Sequence, residues 1–326
     1  MPFITVVVPV YNTSAYLNKC LDSLLNQDFK DYEILVINDG STDNSLEILK
    51  EYENKFSNKI SLITGENRGI SAVRNTGIMK SKGEYICFID SDDYVESTYF
   101  SDLYSAITNE NADVAVCDFY EWNDLENTKT TRIAGEFTNC KLQDKPSLLF
   151  EINSSPWNKL YRKNMLLENK IEFPLNLKYE DAYFVLLALL KSNRIVKVNK
   201  PLVDYRVREN SETTNVNARV FDIFKILDLV NDAFKKDSSY NCYREALEFI
   251  NANRVTVYCL QQVYQKQDDI INQFIDTAYK YMDSHFPSWR KNNYFKADNS
   301  KLEFMIKSSK MLTKLYVKTQ RKIKGN

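Results

Sequence analysis

Carboxylates crowd three short stretches of this 326-residue chain: Asp39 after one apolar run, Asp90-Ser91-Asp92-Asp93 after another, and Glu180-Asp181 ahead of a third. Three like charges within four residues repel one another unless a cation or a cationic side chain sits among them. Hard oxygen ligands of this kind suit Mg2+ or Mn2+, with one or two carboxylates and the phosphates of a ligand completing the shell. The plainer reading of Asp90, Asp92 and Asp93 is a helix N-cap with solvated neighbours. Glu180 and Asp181 likewise suit a helix N-terminus whether or not they do chemistry. His285 is the only histidine and stands far along the chain from all three stretches, which argues against Ser-His-Asp, Cys-His and HExxH chemistries. Cys20, Cys87, Cys117, Cys140, Cys242 and Cys259 show neither CxxC pairing nor zinc spacing and read as free thiols. Acid–base work therefore falls to carboxylates.

The elements that would position these groups are legible in the apolar pattern. Residues 4–8 are a β-branched run closed by Pro9, and residues 33–37, 60–64, 85–89 and 114–117 are further apolar strands. Helical patterns lie between them: Tyr16, Leu17, Cys20, Leu21, Leu24 and Leu25 after a Ser14 cap, Leu46 and Leu49 after Thr42 or Asp43, then residues 70–79 and 100–107. Continuous apolar strands alternating with helices predict a doubly wound, mostly parallel sheet. Such sheets bind ligands outside the carboxyl ends of their strands. Pro9-Val10-Tyr11-Asn12, Asn38-Asp39-Gly40 and Asp90-Ser91-Asp92-Asp93 all follow strand ends, so three polar turns share one rim. Shorter strands are expected at 195–198 and 202–207, a helix at 184–190, and three or four helical segments from about residue 218.

Glycines narrow how that rim would hold a nucleotide. The first strand–helix turn reads Pro9-Val10-Tyr11-Asn12-Thr13-Ser14, without the GxGxxG that lets backbone approach a pyrophosphate. No GxxxxGK[ST] occurs, and the chain has only seven glycines, so neither device is hidden elsewhere. A third solution handles a diphosphate with a divalent metal held by clustered carboxylates.

Val8-Pro9-Val10-Tyr11-Asn12, Asn38-Asp39-Gly40-Ser41-Thr42-Asp43, Glu66-Asn67-Arg68-Gly69, Ala72-Val73-Arg74-Asn75 and Phe88-Ile89-Asp90-Ser91-Asp92-Asp93 follow in order. Together they resemble the family 2 glycosyltransferases of the GT-A fold, over roughly residues 3–215. The resemblance implies that Pro9, Tyr11 and Asp39 form a uracil pocket, a carboxylate accepting from the imide N–H and an aromatic face meeting the ring. Without that context Asp39-Gly40 reads as a tight turn. Arg74 and Asn75 would reach the nucleotide and steady the metal-binding aspartates, Arg74 being otherwise a surface salt bridge. Asp90 would contact the ribose or a metal-bound water and, with Asp92, hold Mn2+ or Mg2+. Asp93 stands between metal neighbourhood and sugar contact.

Lys178-Tyr179-Glu180-Asp181 resembles the family's Glu-Asp pair. This implies that Asp181, beside Glu180, is the general base that takes the acceptor proton as oxygen attacks the anomeric carbon with inversion. The metal would stabilise charge on the UDP leaving group. Trp157-Asn158-Lys159-Leu160-Tyr161 resembles the segment ahead of the acceptor region, where Trp157 either stacks on a sugar or packs in the core. Tyr205-Arg206-Val207-Arg208, followed by Ser211 and Thr213, resembles the stretch behind the base, with Arg206 or Arg208 reaching the diphosphate.

The expected fold class is therefore α/β: a GT-A catalytic domain over 1–215 and a helical C-terminal domain over 216–326. Residues 1–120 would be the nucleotide-binding half of the first and 121–215 its acceptor-binding half. The expected reaction moves a hexosyl or N-acetylhexosaminyl group from a UDP-sugar to a cell-surface glycan or lipid-linked acceptor, as in capsule, exopolysaccharide or teichoic acid synthesis. Residues 301–326 carry eight Lys/Arg against the single acid Glu303, which leaves the rest of this net −1 chain about eight units negative. Leu302, Met305, Ile306, Met311, Leu312, Leu315, Tyr316 and Ile323 recur there near helical spacing. A basic amphipathic helix suits an anionic membrane surface; the alternative is a packed helix with a solvated basic face. The helical third is also a candidate homo-oligomer face.

No nucleic-acid partner is expected, because no recognised module appears and the catalytic part is acidic. No stretch reaches the roughly 18–20 apolar residues of a membrane span, and the N-terminus lacks a basic n-region. The expected location is the cytoplasm, peripheral on the inner face of the cell membrane. A rival nucleotidyltransferase would show a glycine-rich basic loop after the first strand, and none is present. A catalytically silent binding or assembly module would have no need to keep Asp39, Asp90, Asp92 and Asp181 together.

Overall fold

The computed structural model of the chain describes residues 2–124, 126–208, 218–263, 268–295 and 309–323. These form two compact units, one running to Asn176 and resuming over Glu180–Arg208, the other comprising Leu177–Tyr179 and the chain after Arg208. The boundary expected near 215, with Ser211 and Thr213, lies outside the described residues, as do residues 301–308 and 324–326 of the basic tail.

The first unit is built on strands β1 (Ile4–Val10), β2 (Tyr32–Asn38), β3 (Ile60–Thr64), β4 (Tyr85–Phe88), β5 (Tyr94–Val95), β6 (Val114–Asn123), β7 (Thr128–Arg132), β8 (Asn139–Cys140), β9 (Lys159–Arg162) and β10 (Ile195–Val207). They form one sheet in the order β3-β2-β1-β4-β9-β6-β10-β5, with β7 on β6 and β8 on β10. Every residue of β1 is buried, as a central parallel strand covered on both faces requires. Helices α1 (Ser14–Leu25), α2 (Ser45–Lys55), α3 (Ile70–Lys80) and α4 (Tyr99–Asn109) connect the first strands, and α1 buries Leu17, Cys20, Leu21 and Leu24 against them. Short helices α5 (Leu148–Glu151) and α6 (Lys163–Glu168) precede α7 (Glu180–Lys191).

The sheet is mixed, where the pattern predicts a mostly parallel one. β1, β2, β3 and β4 are parallel, but β9 lies antiparallel between β4 and β6 and joins the two halves. Its four residues open on a lysine and close on an arginine, which hides a strand in the sequence. Lys159 is fully buried, and its ammonium donates to the Asn153 and Ser155 carbonyls and to Asn158 Oδ1 at 2.7–2.8 Å. Burial takes its pKa down to about 7. The two short strands expected near 200 are one strand, β10, which stays paired with β6 through register shifts between Val198 and Val203.

The caps also differ from expectation. Ser14 is the first residue of α1 rather than its cap, and Asp43 serves two helix starts, accepting the Ser14 N–H on Oδ2 at 2.9 Å and the Ser45 N–H on Oδ1 at 3.0 Å. Orphan donors at helix N-termini explain why a carboxylate settles between them.

The second unit contains α8 (Asp222–Lys235), α9 (Tyr240–Asn253), α10 (Cys259–Val263), α11 (Asp268–His285) and α12 (Lys310–Ile323) among the described residues. A π-helical turn at Arg254–Tyr258 leads from α9 into α10. Asn231 of α8 and Asn251 of α9 exchange side-chain hydrogen bonds at 3.0 Å inside this unit, with the Tyr281 hydroxyl 3.1 Å from Asn231. No described helix is long and apolar enough to cross a membrane.

Candidate active site

Two antiparallel steps through β9 return β6 and β10 to the direction of β1, β2 and β4, so the carboxyl ends of all five share one rim. That rim collects Tyr11 after β1, Asp39 after β2, Asp90 to Asp93 after β4, and Arg206 with Arg208 at the end of β10. β4 accompanies β1 only as far as the Val7–Phe88 pair. Pro9, which has no N–H to give a ladder, sits buried just beyond it.

The first two turns clasp each other. Asn12 Oδ1 accepts the Thr42 N–H at 2.7 Å, and the Asn12 N–H donates to the Ser41 hydroxyl. Asp39 is 5% exposed, and its two oxygens accept the N–H groups of Arg68 and Gly69 at 2.8 and 2.9 Å. The carboxylate thereby ties the end of β2 to the start of α3. Gly40 is required beside it: its φ is +72°, and a Cβ would fall 2.9 Å from the Asn67 nitrogen. Tyr11 stands out from this turn, 49% exposed.

Arg74 organises the centre. Helix α3 lies close on β1 because Gly77 leaves room for Val7, where a Cβ would come within 2.4 Å. One turn earlier this approach carries Arg74 inside, 3% exposed. Its Nη2 donates to Asp90 Oδ1 at 2.8 Å, while Nη1 reaches Asp181 Oδ1 at 2.5 Å and Glu180 Oε1 at 3.3 Å. Burial alone would lower the guanidinium pKa, but Asp181, Asp90 and Glu180 overrule it and the net shift is upward. Its cation is permanent. Asp181 keeps 31% of its side chain exposed and Glu180 only 12%. Burial raises the Asp181 carboxyl well above its ordinary range; Arg74 opposes this, while Glu180 and Asp90 add to it.

Asn75 has a different task from the nucleotide contact expected of it. Its side chain donates to the Phe173 carbonyl at 2.9 Å and accepts the Phe173 N–H at 2.8 Å, the donor and acceptor of one amide matching those of one backbone residue. Phe173 in turn stacks on Phe184 of α7, with ring centroids 3.9 Å apart. Asn75 therefore anchors the segment leading to Glu180 and Asp181.

The Asp90–Asp93 turn divides its carboxylates. Asp93 is 1% exposed and accepts the Arg206 N–H on Oδ1 at 2.8 Å, so one of its oxygens fastens β10. Burial, with Asp92 and Asp90 nearby, pushes its carboxyl far up, and its Oδ2 has no partner among the described residues. Asp92 is 20% exposed and accepts from Arg208 Nε at 2.8 Å. Arg206 spends its guanidinium on both oxygens of Asp124, at 2.7 and 2.9 Å. Both guanidinium groups lie over Tyr16, 5.0 and 5.2 Å from the ring centre. Trp157 belongs to the core: it is 4% exposed, stacked on Tyr205 at 5.1 Å and met edge-on by Phe119, which leaves no room for a sugar face.

Sequence reasoning missed Tyr16, Asp124 and Lys159. Tyr16 reads as one more apolar position of α1, and Asp124 sits in a polar stretch without a pattern. Lys159 had a usable signal, a lysine flanked by Trp157, Leu160 and Tyr161.

Residues 5–169, just over half the chain, match the family described as glycosyl transferase family 2. The chain is 39% identical to "Glycosyltransferase GlyA" of Streptococcus pneumoniae over 64% of its length, spanning 31% of that longer protein. It is 34% identical to "Putative glycosyltransferase EpsH" of Bacillus subtilis, over 76% of this chain and 73% of that one. The structure of S. aureus TarS 1-349 in complex with UDP-GlcNAc superposes with a TM-score of 0.72 at 23% identity, over 98% of this chain and 92% of that one, and so shares the GT-A fold. The chain belongs to glycosyl transferase family 2.

Proposed function

We propose that this glycosyltransferase moves a sugar from a UDP-sugar to a hydroxyl of a cell-surface glycan or lipid-linked acceptor, with inversion and with Asp181 as general base. The observation that carries the reading is the one buried guanidinium that bonds Asp90 on the rim and Asp181 at the start of α7. It holds a donor-side carboxylate and a partly exposed carboxylate base one side chain apart. A base must sit within hydrogen-bond reach of the proton it takes and titrate near the working pH. Asp181 has the exposure and the upward shift for that task. One base and no covalent intermediate give inversion.

The uracil is assigned to Tyr11, Pro9 and Asp39. Tyr11 offers an exposed ring, and each Asp39 oxygen has a lone pair beyond the backbone N–H it accepts. The UDP-GlcNAc complex of the S. aureus neighbour supports a uridine donor. Asp90 and Asp92 fit Mn2+ or Mg2+ by donor chemistry, both being partly exposed carboxylates. Among the described residues no three acidic, His or Cys side chains converge on one ion position, so phosphates would complete the shell. The ion would supply positive charge to the UDP leaving group. Residues 1–120 are assigned to donor binding, 121–215 to the acceptor, and 216–326 to a helical domain, with the enzyme at the inner face of the cell membrane.

A thermal-shift panel of UDP, GDP, CMP, TDP and ADP, with and without Mn2+, tests this. A ligand at about 100 times its Kd adds about 2.7 kcal/mol. The expected result is a Mn2+-dependent shift with UDP alone. No shift with UDP, or a larger one with another nucleotide, would overturn the uridine assignment.

A further inference from the structure

Helix α12 is fixed in rotation by what it packs against. Thr313 and Val317 are 1% and 2% exposed, and the Thr313 hydroxyl shares a 2.7 Å hydrogen bond with Tyr279 of α11. Lys310 and Lys314 both pair with Asp276 of α11, at 2.9 and 2.8 Å. The opposite side carries Met311, Leu312 and Leu315, which are 80%, 40% and 58% exposed. At about 100° per residue, Met311, Leu315 and the exposed Lys318 form one stripe facing away from Thr313 and Val317. Ten large apolar side chains are exposed among the described residues, and three of them fall within these five positions while most others stand singly. A contiguous exposed patch of this kind marks an interaction surface.

The geometry points to an anionic lipid surface as its occupant. Lys318 lies in the stripe, and the sequence that follows carries Arg321, Lys322 and Lys324 and no acid. An apolar ridge flanked by basic residues is the pattern of a helix that lies in a charged membrane interface. The other 300 residues are about eight units negative, so the charge that complements an anionic surface is concentrated at this end. A second copy of the helix would bring two strongly basic segments together without compensating acids. This inference gives the proposed membrane placement a specific foot and does not depend on the donor.

Flotation of the full chain with vesicles tests it, using phosphatidylcholine alone and phosphatidylcholine mixed with phosphatidylglycerol. Binding is expected only to the mixed vesicles and is expected to weaken as salt rises. Met311→Ser with Leu315→Ser should weaken it about tenfold or more, because the buried apolar area is lost. Both positions are exposed, so the thermal midpoint and the UDP-induced shift, read on the same samples, should stay unchanged. A failed UDP shift with intact flotation would sink the donor reading alone. Equal flotation of wild type and double variant, or equal binding to both vesicle types, would overturn the inference. So would a wild type that ignores vesicles but self-associates in sedimentation, with the double variant monomeric.

Discussion

Arg74 and Arg208 hold the same acidic rim from two sides and under opposite conditions. Arg74 is 3% exposed and bonds three carboxylates, whereas Arg208 is 24% exposed and, among the described residues, bonds one. Water reaches the first guanidinium less than the second. The buried clamp therefore fixes the positions of Asp90, Glu180 and Asp181, while the partly buried Arg208–Asp92 pair is the contact expected to yield to a ligand. Identical ion chemistry serves as scaffold in one place and as an exchangeable partner in the other.

Removing the buried cation should break this comparison most visibly. Arg74→Met leaves three carboxylates without their common partner, and stranding buried charge costs about 3–5 kcal/mol. A large drop in thermal midpoint and loss of turnover are expected, with Arg74→Lys recovering part of the stability but not the two-armed geometry. A variant as stable as wild type would mean that the clamp is no scaffold.

Next in size is Asp181→Asn, which separates chemistry from stability. Loss of a general base lowers turnover by about 10²–10⁴, while the UDP-induced shift should survive. Stability should not fall. The folded pKa of Asp181 is raised above an unfolded value of about 3.9, so its ionised form opposes folding at neutral pH. The same shift sets the pH profile: kcat/KM should climb with pH as Asp181 loses its proton, with a midpoint above the ordinary carboxylate range. An acid limb at or below about pH 4 would show that another group is the base.

The rim was the most legible part of the molecule, because β1, β2 and β4 are mostly apolar runs and each leads into a polar turn. Where the reading erred, pairing decided the outcome. Asn75 looked available to a ligand and is instead paired with Phe173, one oxygen of Asp93 is taken by the Arg206 N–H, and of the two readings of Trp157 its packing with Tyr205 and Phe119 matches the core one. Composition identifies a polar or aromatic group but does not say whether the fold has already occupied it. β9 was invisible for the reverse reason: Lys159 looks polar and is buried among carbonyls that only the folded loop supplies.

The smallest effect concerns the choice between Arg206 and Arg208 as the diphosphate ligand. Arg206 is 14% exposed, bonds both oxygens of Asp124 and carries the N–H that satisfies Asp93. Arg208 is more exposed and makes a single bond to Asp92, a candidate metal ligand. Releasing Arg208 toward a phosphate sacrifices, among the described residues, one partly buried single-oxygen ion pair. Releasing Arg206 sacrifices a two-oxygen pair together with the Nε bond to the Asp92 carbonyl. Arg208→Gln should thus leave the thermal midpoint nearly unchanged and weaken UDP several-fold, while Arg206→Gln should lower the midpoint and leave UDP affinity close to wild type. Thermal melts and UDP titrations of the two variants read both quantities, and the opposite pattern would make Arg206 the donor ligand and Arg208 the fixed one.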